Sequence, residues 1–229
     1  MEEEKILSFE DCSLKDIITT KLNFSVKDKD SVMIIFPGDN YRNAFLDLVY
    51  GFQKPNEGRI IFKNTEYDYE YSKLQSLRRK ISLISLEGNL ISNLDVYENL
   101  RLPLLAMAEL KTKDIPKIID NFVEKLGIRE FLDKLPHTIS DLDRVKVNIV
   151  RGLCQDAQLF ILNNLFERLN EKKCKTLFKT IIPELPCTIA LSKSERGIKI
   201  CNRVIILEEE GIIYNGSTEN FGKYRSKKK

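Results

Sequence analysis

The chain has no apolar run that could cross a membrane: its longest are about five to six residues, against the roughly 20 a spanning helix needs. It has one histidine, His137. Its five cysteines (Cys12, Cys154, Cys174, Cys187 and Cys201) form no Cys-x-x-Cys pair, and any pairing leaves one over. That pattern suits buried thiols in a reducing compartment better than a disulfide framework. The opening MEEEK has neither the basic nor the apolar region of a signal peptide, so a cytoplasmic location is expected. Charge of one sign is also missing: 37 Lys and Arg face 34 Asp and Glu. The net +3 gives no argument for a nucleic-acid partner. No metal site is expected.

What is there is ordinary for a globular protein: 42% apolar and 31% charged residues. A length of 229 residues makes one large domain, or a domain with a subdomain. Short strands are expected at Ile6–Phe9 and Leu22–Val26. Val32–Phe36 (VMIIF) and Leu159–Leu162 (LFIL) are continuous apolar runs, as parallel strands buried on both faces require. Arg59–Phe62, Ile81–Ser85, Thr188–Leu191 and Val204–Leu207 read as further strands, with a hairpin into Ile212–Tyr214. Helices are expected at Arg42–Tyr50, stopped by Gly51, at Leu74–Arg79, and at Ile115–Leu126, whose apolar residues share one face. Two more are expected at Asp141–Gln155, capped by Ser140, and at Lys173–Ile182. Strands alternating with helices imply an α/β fold with a largely parallel sheet. The helical block from Leu86 onward is an insertion. The basic tail, KYRSKKK, reads as a frayed terminus or a contact for anionic lipid.

The stretch FPGDNYRNAFLDLVYGFQKPNEGRIIF runs from strand to helix to strand and resembles the surroundings of a phosphate-binding loop. Four other stretches fall into the same order: LQSLRRKISLIS, NLISNLDVYENLRLPL, PHTISDLDRVKVNIVRGLCQDAQLFIL and RVIILEEEGIIYNGSTENF. Together they resemble the ATP-binding subunit of ABC transporters, over about Ile6 to Tyr224. DVYENLRLPL is similar to the lipid- and lipoprotein-handling branches, such as the phospholipid-trafficking (Mla-type) ATPase. The resemblance implies a P-loop NTPase-like ABC ATPase fold: a mainly parallel sheet core with an antiparallel β part and an inserted α-helical subdomain. It implies a single domain, 1–229, with sheet core at 1–85 and 156–224, helical subdomain at 86–155 and basic tail at 225–229.

The same resemblance locates the chemistry that the family needs. A working loop wraps phosphates with backbone N–H groups, which takes several glycines, and adds a lysine and a Mg²⁺-binding hydroxyl. Here the loop falls on Phe36, Pro37, Gly38, Asp39, Asn40, Tyr41, Arg42, Asn43 and Ala44. Arg42 stands for the lysine and Asn43 for the hydroxyl. Tyr41 replaces a glycine, and Asp39 brings a carboxylate toward phosphate space. The Walker B acid and the adjacent base fall on Asn163 and Asn164, the Q-loop glutamine on Leu86 and the switch histidine on Ser192. The signature falls on Ile139, Ser140, Asp141, Leu142 and Asp143, where two carboxylates are expected to face the partner's phosphate. The adenine-stacking aromatic falls near Asp16. Arg42 could hold an anion, or pair with Asp39 or Asn163. Asn163 and Asn164 could be a weakened metal site or a polar strand end. His137 reads as a turn residue.

These losses imply a degenerate, non-hydrolysing pseudo-ATPase with no expected cofactor. It would be a structural or regulatory subunit of a membrane transport complex, peripheral to the inner face of the cytoplasmic membrane, for lipid or lipoprotein. Its partners would be an ABC permease subunit and an intact ATP-binding subunit, with self- or hetero-dimers both open. In a mixed dimer each composite site would lack one half. Leu86, Leu90, Ile91, Leu94 and Tyr97 are the candidates for permease docking. Two alternatives stand beside this reading. One is an atypical ABC subunit that still binds or slowly hydrolyses ATP with Mg²⁺, using Arg42 and Glu87. The other is a soluble scaffold unrelated to transport.

Overall fold

The computed structural model describes residues 4–14, 17–86, 90–107, 110–170, 172, 175, 179 and 181–227. Strands β1 (Lys5–Leu14), β2 (Ile18–Lys27), β4 (Glu57–Phe62) and β5 (Thr65–Glu66) form an antiparallel sheet in the order β2-β1-β4-β5. A second sheet holds β3 (Ser31–Ile35), β6 (Ile81–Ile84), β7 (Leu159–Asn163), β8 (Thr188–Ser192) and β9 (Arg203–Glu208), all parallel. Strand β10 (Gly211–Ser217) pairs antiparallel with β9 and closes the order β10-β9-β3-β8-β7-β6. The chain is thus α/β, with a mainly parallel sheet and a separate antiparallel one.

Alternation along the parallel strands divides the core in two. Val32, Ile34, Leu159, Ile161, Ile189, Leu191 and Ile205 face one side. Met33, Ile35, Phe160, Leu162, Ala190 and Val204 face the other. This double burial is why these strands read as unbroken apolar runs. On the first side lie the antiparallel sheet and α1 (Asp39–Val49), whose Phe45 ring meets Phe9 and Phe36 at 5.4 Å each and Phe24 at 6.4 Å. On the second side lie α3 (Val96–Leu105), α4 (Ile115–Leu126) and α5 (Asp141–Cys154). Helix α2 (Tyr71–Arg79) precedes β6, and two further helices are α6 (Leu165–Arg168) and α7 (Thr218–Lys227).

Several expected boundaries move, each for a local reason. β1 runs past Phe9 because the chain bulges at Asp11 (φ 51°), where Asp11 N–H donates to Asn23 Oδ1 and Asn23 Nδ2 to Asp11 Oδ1, both at 2.9 Å. Helix α2 starts before Leu74, its single buried residue, so periodicity marks only its middle. Most of the expected helix Lys173–Ile182 lies outside the described residues, and its end is corrected: Ile182–Glu184 is a 3₁₀ turn at Pro183. The tail is not frayed from Lys223, since α7 continues to Lys227 and Arg225 pairs with Glu195. His137 sits exposed in the 3₁₀ turn Pro136–Thr138. Helix α4 has the expected bounds and ends on Gly127 in the left-handed region (φ 61°). Among the described residues, no helix is long and apolar enough to cross a membrane.

Helix α5 joins the helical layer to the sheet, and Gly152 lets it approach. A Cβ at Gly152 would lie 2.7 Å from Phe160 Cε1 and 2.8 Å from Ser82 Cβ. Overpacking of that kind costs about 1–3 kcal/mol, or several degrees of melting temperature in a domain of this size. Gly152→Ala should therefore melt roughly 3 °C or more below wild type by far-UV circular dichroism. An unchanged midpoint would show that the helix and sheet are not in close contact here.

Candidate functional site

The carboxyl ends of β3, β7 and β8 meet at one edge of the parallel sheet, the edge where open α/β sheets bind their ligands. After β3 only Phe36, Pro37 and Gly38 are loop. Asp39 already begins α1, with Arg42 N–H donating to Gly38 C=O at 3.3 Å. The expected boundary is therefore corrected: Asp39, Asn40 and Tyr41 are helical too, ahead of Arg42, Asn43 and Ala44, which lie in the helix expected from Arg42. Wrapping a phosphate calls for left-handed backbone, and no residue from 36 to 44 has a positive φ. Gly38 is extended (φ −167°, ψ 171°), a conformation open to any residue. Asp39 favours the early start, since an acid in the first turn complements the helix dipole.

The side chains close the corner. Asp39 Oδ1 lies 2.7 Å from Arg42 Nη1, and Asp39 Oδ2 accepts from Lys193 Nζ at 2.8 Å. The Lys193 hydrogen bond, then the Arg42 charge, holds the Asp39 carboxyl below its usual range. Arg42 is only 9% exposed. Its Nη1 is close to Asp39 but off-line for a hydrogen bond, and Nη1 and Nε are buried without an acceptor. Its Nη2 reaches Asn43 Oδ1 at 3.5 Å. Asn40 and Asn43 are exposed, Ala44 is buried, and the Tyr41 ring packs against the α1 side of the core.

Asn163 ends β7, and Asn164 follows in the left-handed region (φ 56°), its N–H donating to Leu191 C=O at 3.1 Å. Both Oδ1 atoms are buried without a partner. Ser192, fully buried at the end of β8, has its Oγ 2.7 Å from Glu167 Oε1 and 2.8 Å from the Ser194 carbonyl, its one proton serving either. Lys193 N–H donates to the same Glu167 oxygen at 3.0 Å. Sequence reasoning missed Glu167, which clamps α6 to the end of β8, and also missed Lys193.

The segment expected to form a signature caps its own helix. Ser140 Oγ accepts from Asp143 N–H at 3.3 Å and lies 2.6 Å from Asp143 Oδ2. Asp141 pairs with Arg144, and Asp143 with Lys146 at 3.5 Å. Both carboxylates thus have a cation one turn along α5. Ile139 is buried and Leu142 half-buried. Asp16 and Glu87 lie outside the described residues.

The docking candidates differ in exposure. Leu86, Leu90 and Tyr97 pack against the helical core, Leu94 is half-buried and Ile91 is 43% exposed. Asn99, which sequence reasoning also missed, pins this segment. Its Nδ2 donates to the carbonyls of Ile91, Leu94 and Asp95, and its Oδ1 accepts from Ile91 N–H at 2.7 Å. Asp95 and Glu98 form a capping box at the start of α3, a signal present in the sequence as Asp-x-x-Glu. Leu102 and Leu105 add exposed apolar surface on α3, beside a cavity of about 390 Å³ lined by Ser76, Arg79, Lys80, Pro103, Ala106, Met107 and Gln155.

Residues 43–166 match the family described as ABC transporter. The chain belongs to that family. The match opens directly after Arg42. The chain is 21% identical over 196 residues to the general L-amino acid transport ATP-binding protein AapP of Rhizobium johnstonii, covering 84% of this chain and 76% of that protein. It is 28% identical over 182 residues to the methionine import ATP-binding protein MetN of Haemophilus ducreyi, covering 77% of this chain but only 53% of MetN. The structure resembles that of cbiO1 from Clostridium perfringens, described as part of the ABC transporter complex cbiONQ. The TM-score is 0.86 at 22% identity, over 97% of this chain and 92% of that one. It also resembles the dimeric structure of MJ0796, a bacterial ABC transporter cassette (TM-score 0.77, 17% identity, 93% and 99% coverage).

The family implies ATP and Mg²⁺, and the residues of this corner do not fit them. The loop is too short to wrap a phosphate, a carboxylate lies on the buried arginine, and the end of β7 offers neutral amides to a metal. Because Lys193 is the chief cause of the low Asp39 pKa, Lys193→Met should raise it toward the ordinary 3.8 in a carboxyl-carbon NMR titration. A carboxylate depressed in the folded state stabilises above its unfolded pKa and loses that contribution as pH falls through its folded pKa. In Lys193→Met that contribution should therefore shrink, and what remains should be lost completely at a higher pH than in wild type. An Asp39 titration identical in the variant and wild type would contradict the assigned cause.

Proposed function

We propose that the chain is a non-hydrolysing ABC-type subunit, a structural or regulatory part of a membrane transport complex. The observation that carries this reading is the bracketed Asp39 carboxylate, held by Arg42 at 2.7 Å and Lys193 at 2.8 Å at the start of α1. Asn163 and Asn164 support it by offering Mg²⁺ no charge and water no base. The next carboxylate along the chain, Glu167, is engaged through Oε1 with Ser192 and the Lys193 backbone, and its Oε2 is buried.

The partner in this reading is a permease subunit, with an intact ATP-binding subunit supplying the hydrolysis. Association with the permease would place the chain at the inner face of the cytoplasmic membrane. The likeness to cbiO1, part of the ABC transporter complex cbiONQ, supports such an assembly. The lipid-handling branch is a proposal carried by DVYENLRLPL alone, beside relatives named for amino-acid and methionine transport. The capping box and Asn99 show how much of that motif is spent on holding the start of α3.

Two experiments test the reading. Purified protein with Mg²⁺-ATP should release no phosphate above background. Turnover near 1 s⁻¹, within the usual enzyme range, that is lost in Arg42→Ala would establish the atypical ATPase instead. For docking, the exposed Ile91 and Leu105 are better probes than Leu94 or Tyr97, which are partly buried. Ile91→Asp and Leu105→Asp should keep the wild-type melting midpoint and lose co-purification with permease subunits from native membranes. Retained co-purification in both would place docking on a different surface, and no co-purification by wild type would favour the scaffold reading.

A further inference from the structure

We propose that Asp39 is a resident anion: its carboxylate fills an oxyanion seat at the start of α1, and the seat takes inorganic phosphate when that carboxylate is removed. This deepens the reading that no nucleotide uses the corner, and it rests on that reading. The seat is the first turn of α1 with Lys193, and not a wrapped loop.

Three observations assign it. First, both Asp39 oxygens are engaged, each by a cation from a different part of the chain: Arg42 from α1 and Lys193 from beyond β8. Charge-assisted contacts of this kind are the strong ones, and two cations converging on one small anion is how a phosphate is held. Second, the carboxylate underfills the seat. Arg42 is nine-tenths buried, yet its Nε and Nη1 find no aligned acceptor. A planar group tethered to the helix presents two oxygens, whereas phosphate presents four around a tetrahedron and can meet donors that Asp39 leaves open. Third, α1 is eleven residues long and its first turn is uncapped by any side chain. The N–H groups of Asp39, Asn40 and Tyr41 precede the first intrahelical bond, so they point toward the same end.

Access and exchange are both available. The Asp39 and Lys193 side chains are 52% and 42% exposed, so either can swing outward. Lys193 also lines an open cleft of about 690 Å³ between the ends of β3, β8 and β9 and the face of α7. The cleft contains Glu195 and Glu208 as well as Arg225, and Glu195 pairs with Arg225. Its mixed charge argues for a small anion reaching Lys193 at the rim, not a polyanion filling the cleft. In this account the carboxylate keeps the buried guanidinium neutralised without a ligand. The corner is then closed without a ligand, as suits a subunit that is not meant to cycle.

The probe is inorganic phosphate, followed by calorimetry and thermal unfolding at low ionic strength. Wild type should show no saturable binding. Asp39→Asn removes the charge but keeps the shape, so it should melt lower than wild type and bind phosphate at least tenfold more tightly than wild type does. Phosphate should then return its midpoint toward the wild-type value. Adding Lys193→Met to Asp39→Asn should weaken that binding about tenfold or more. If Asp39→Asn folds poorly, Asp39→Ser in phosphate buffer is the second variant, and rescue of its folding by phosphate supports the seat equally. Folded variants that bind phosphate no better than wild type, or variants that phosphate fails to rescue, overturn the proposal. These outcomes are separate from the functional reading. Wild type that binds Mg²⁺-ATP tightly would defeat that reading, whereas an inert wild type with inert variants defeats only the resident anion.

Discussion

Burial of the parallel sheet on both faces is the constraint on which the rest of the structure depends. Every second residue of β3, β7, β8 and β9 must fit against α1 and the antiparallel sheet, and the alternate set against α3, α4 and α5. None of these requirements involves a ligand. Val32 or Ile161 is held in place by its neighbours whether or not a phosphate sits at the strand ends. The frame and the chemistry are thus set by different residues, and one can change without the other. This separation explains how the chain keeps an ABC fold while its corner carries Asp39, Arg42, Asn163 and Asn164.

The corner shows how the same strand ends are satisfied without a nucleotide. Arg42 needs a counter-charge because it is buried, and Asp39 supplies one from a turn earlier on the same helix. Lys193 joins that pair and ties the end of β8 to α1. Glu167 does the equivalent work between α6 and β8 through Ser192. These contacts tie the strand ends to the helices that follow them, and the stretch from Phe36 to Gly38 is short.

How much of this was legible in the sequence follows from the range of each interaction. The parallel strands and α4 were readable because burial imprints a local pattern and Gly127 and Ser140 mark helix ends. The fold was readable because five framing stretches keep their order. The start of α1 was not. Reading backward from Gly51 preserves the spacing of a loop, and Asp-Asn-Tyr is poor helix sequence that folds as helix only with its charges met. The Asp39–Lys193 contact joins residues 154 apart, and no local pattern announces it. The Glu167–Ser192 contact spans 25 residues and is hidden for the same reason. Asn99 lies between the two cases: the capping box around it is visible, but its grip on Ile91 and Leu94 needs the folded loop.

The central claim is that the wild-type corner is already full. Thermal unfolding with and without millimolar Mg²⁺-ATP tests it most directly, since a ligand at 100 times its dissociation constant adds about 2.7 kcal/mol. In a domain of this size that would raise the midpoint by roughly 5–10 °C. The account predicts no reproducible shift with ATP or ADP, with or without Mg²⁺. A Mg²⁺-dependent rise of that size, abolished by Arg42→Ala, would contradict it.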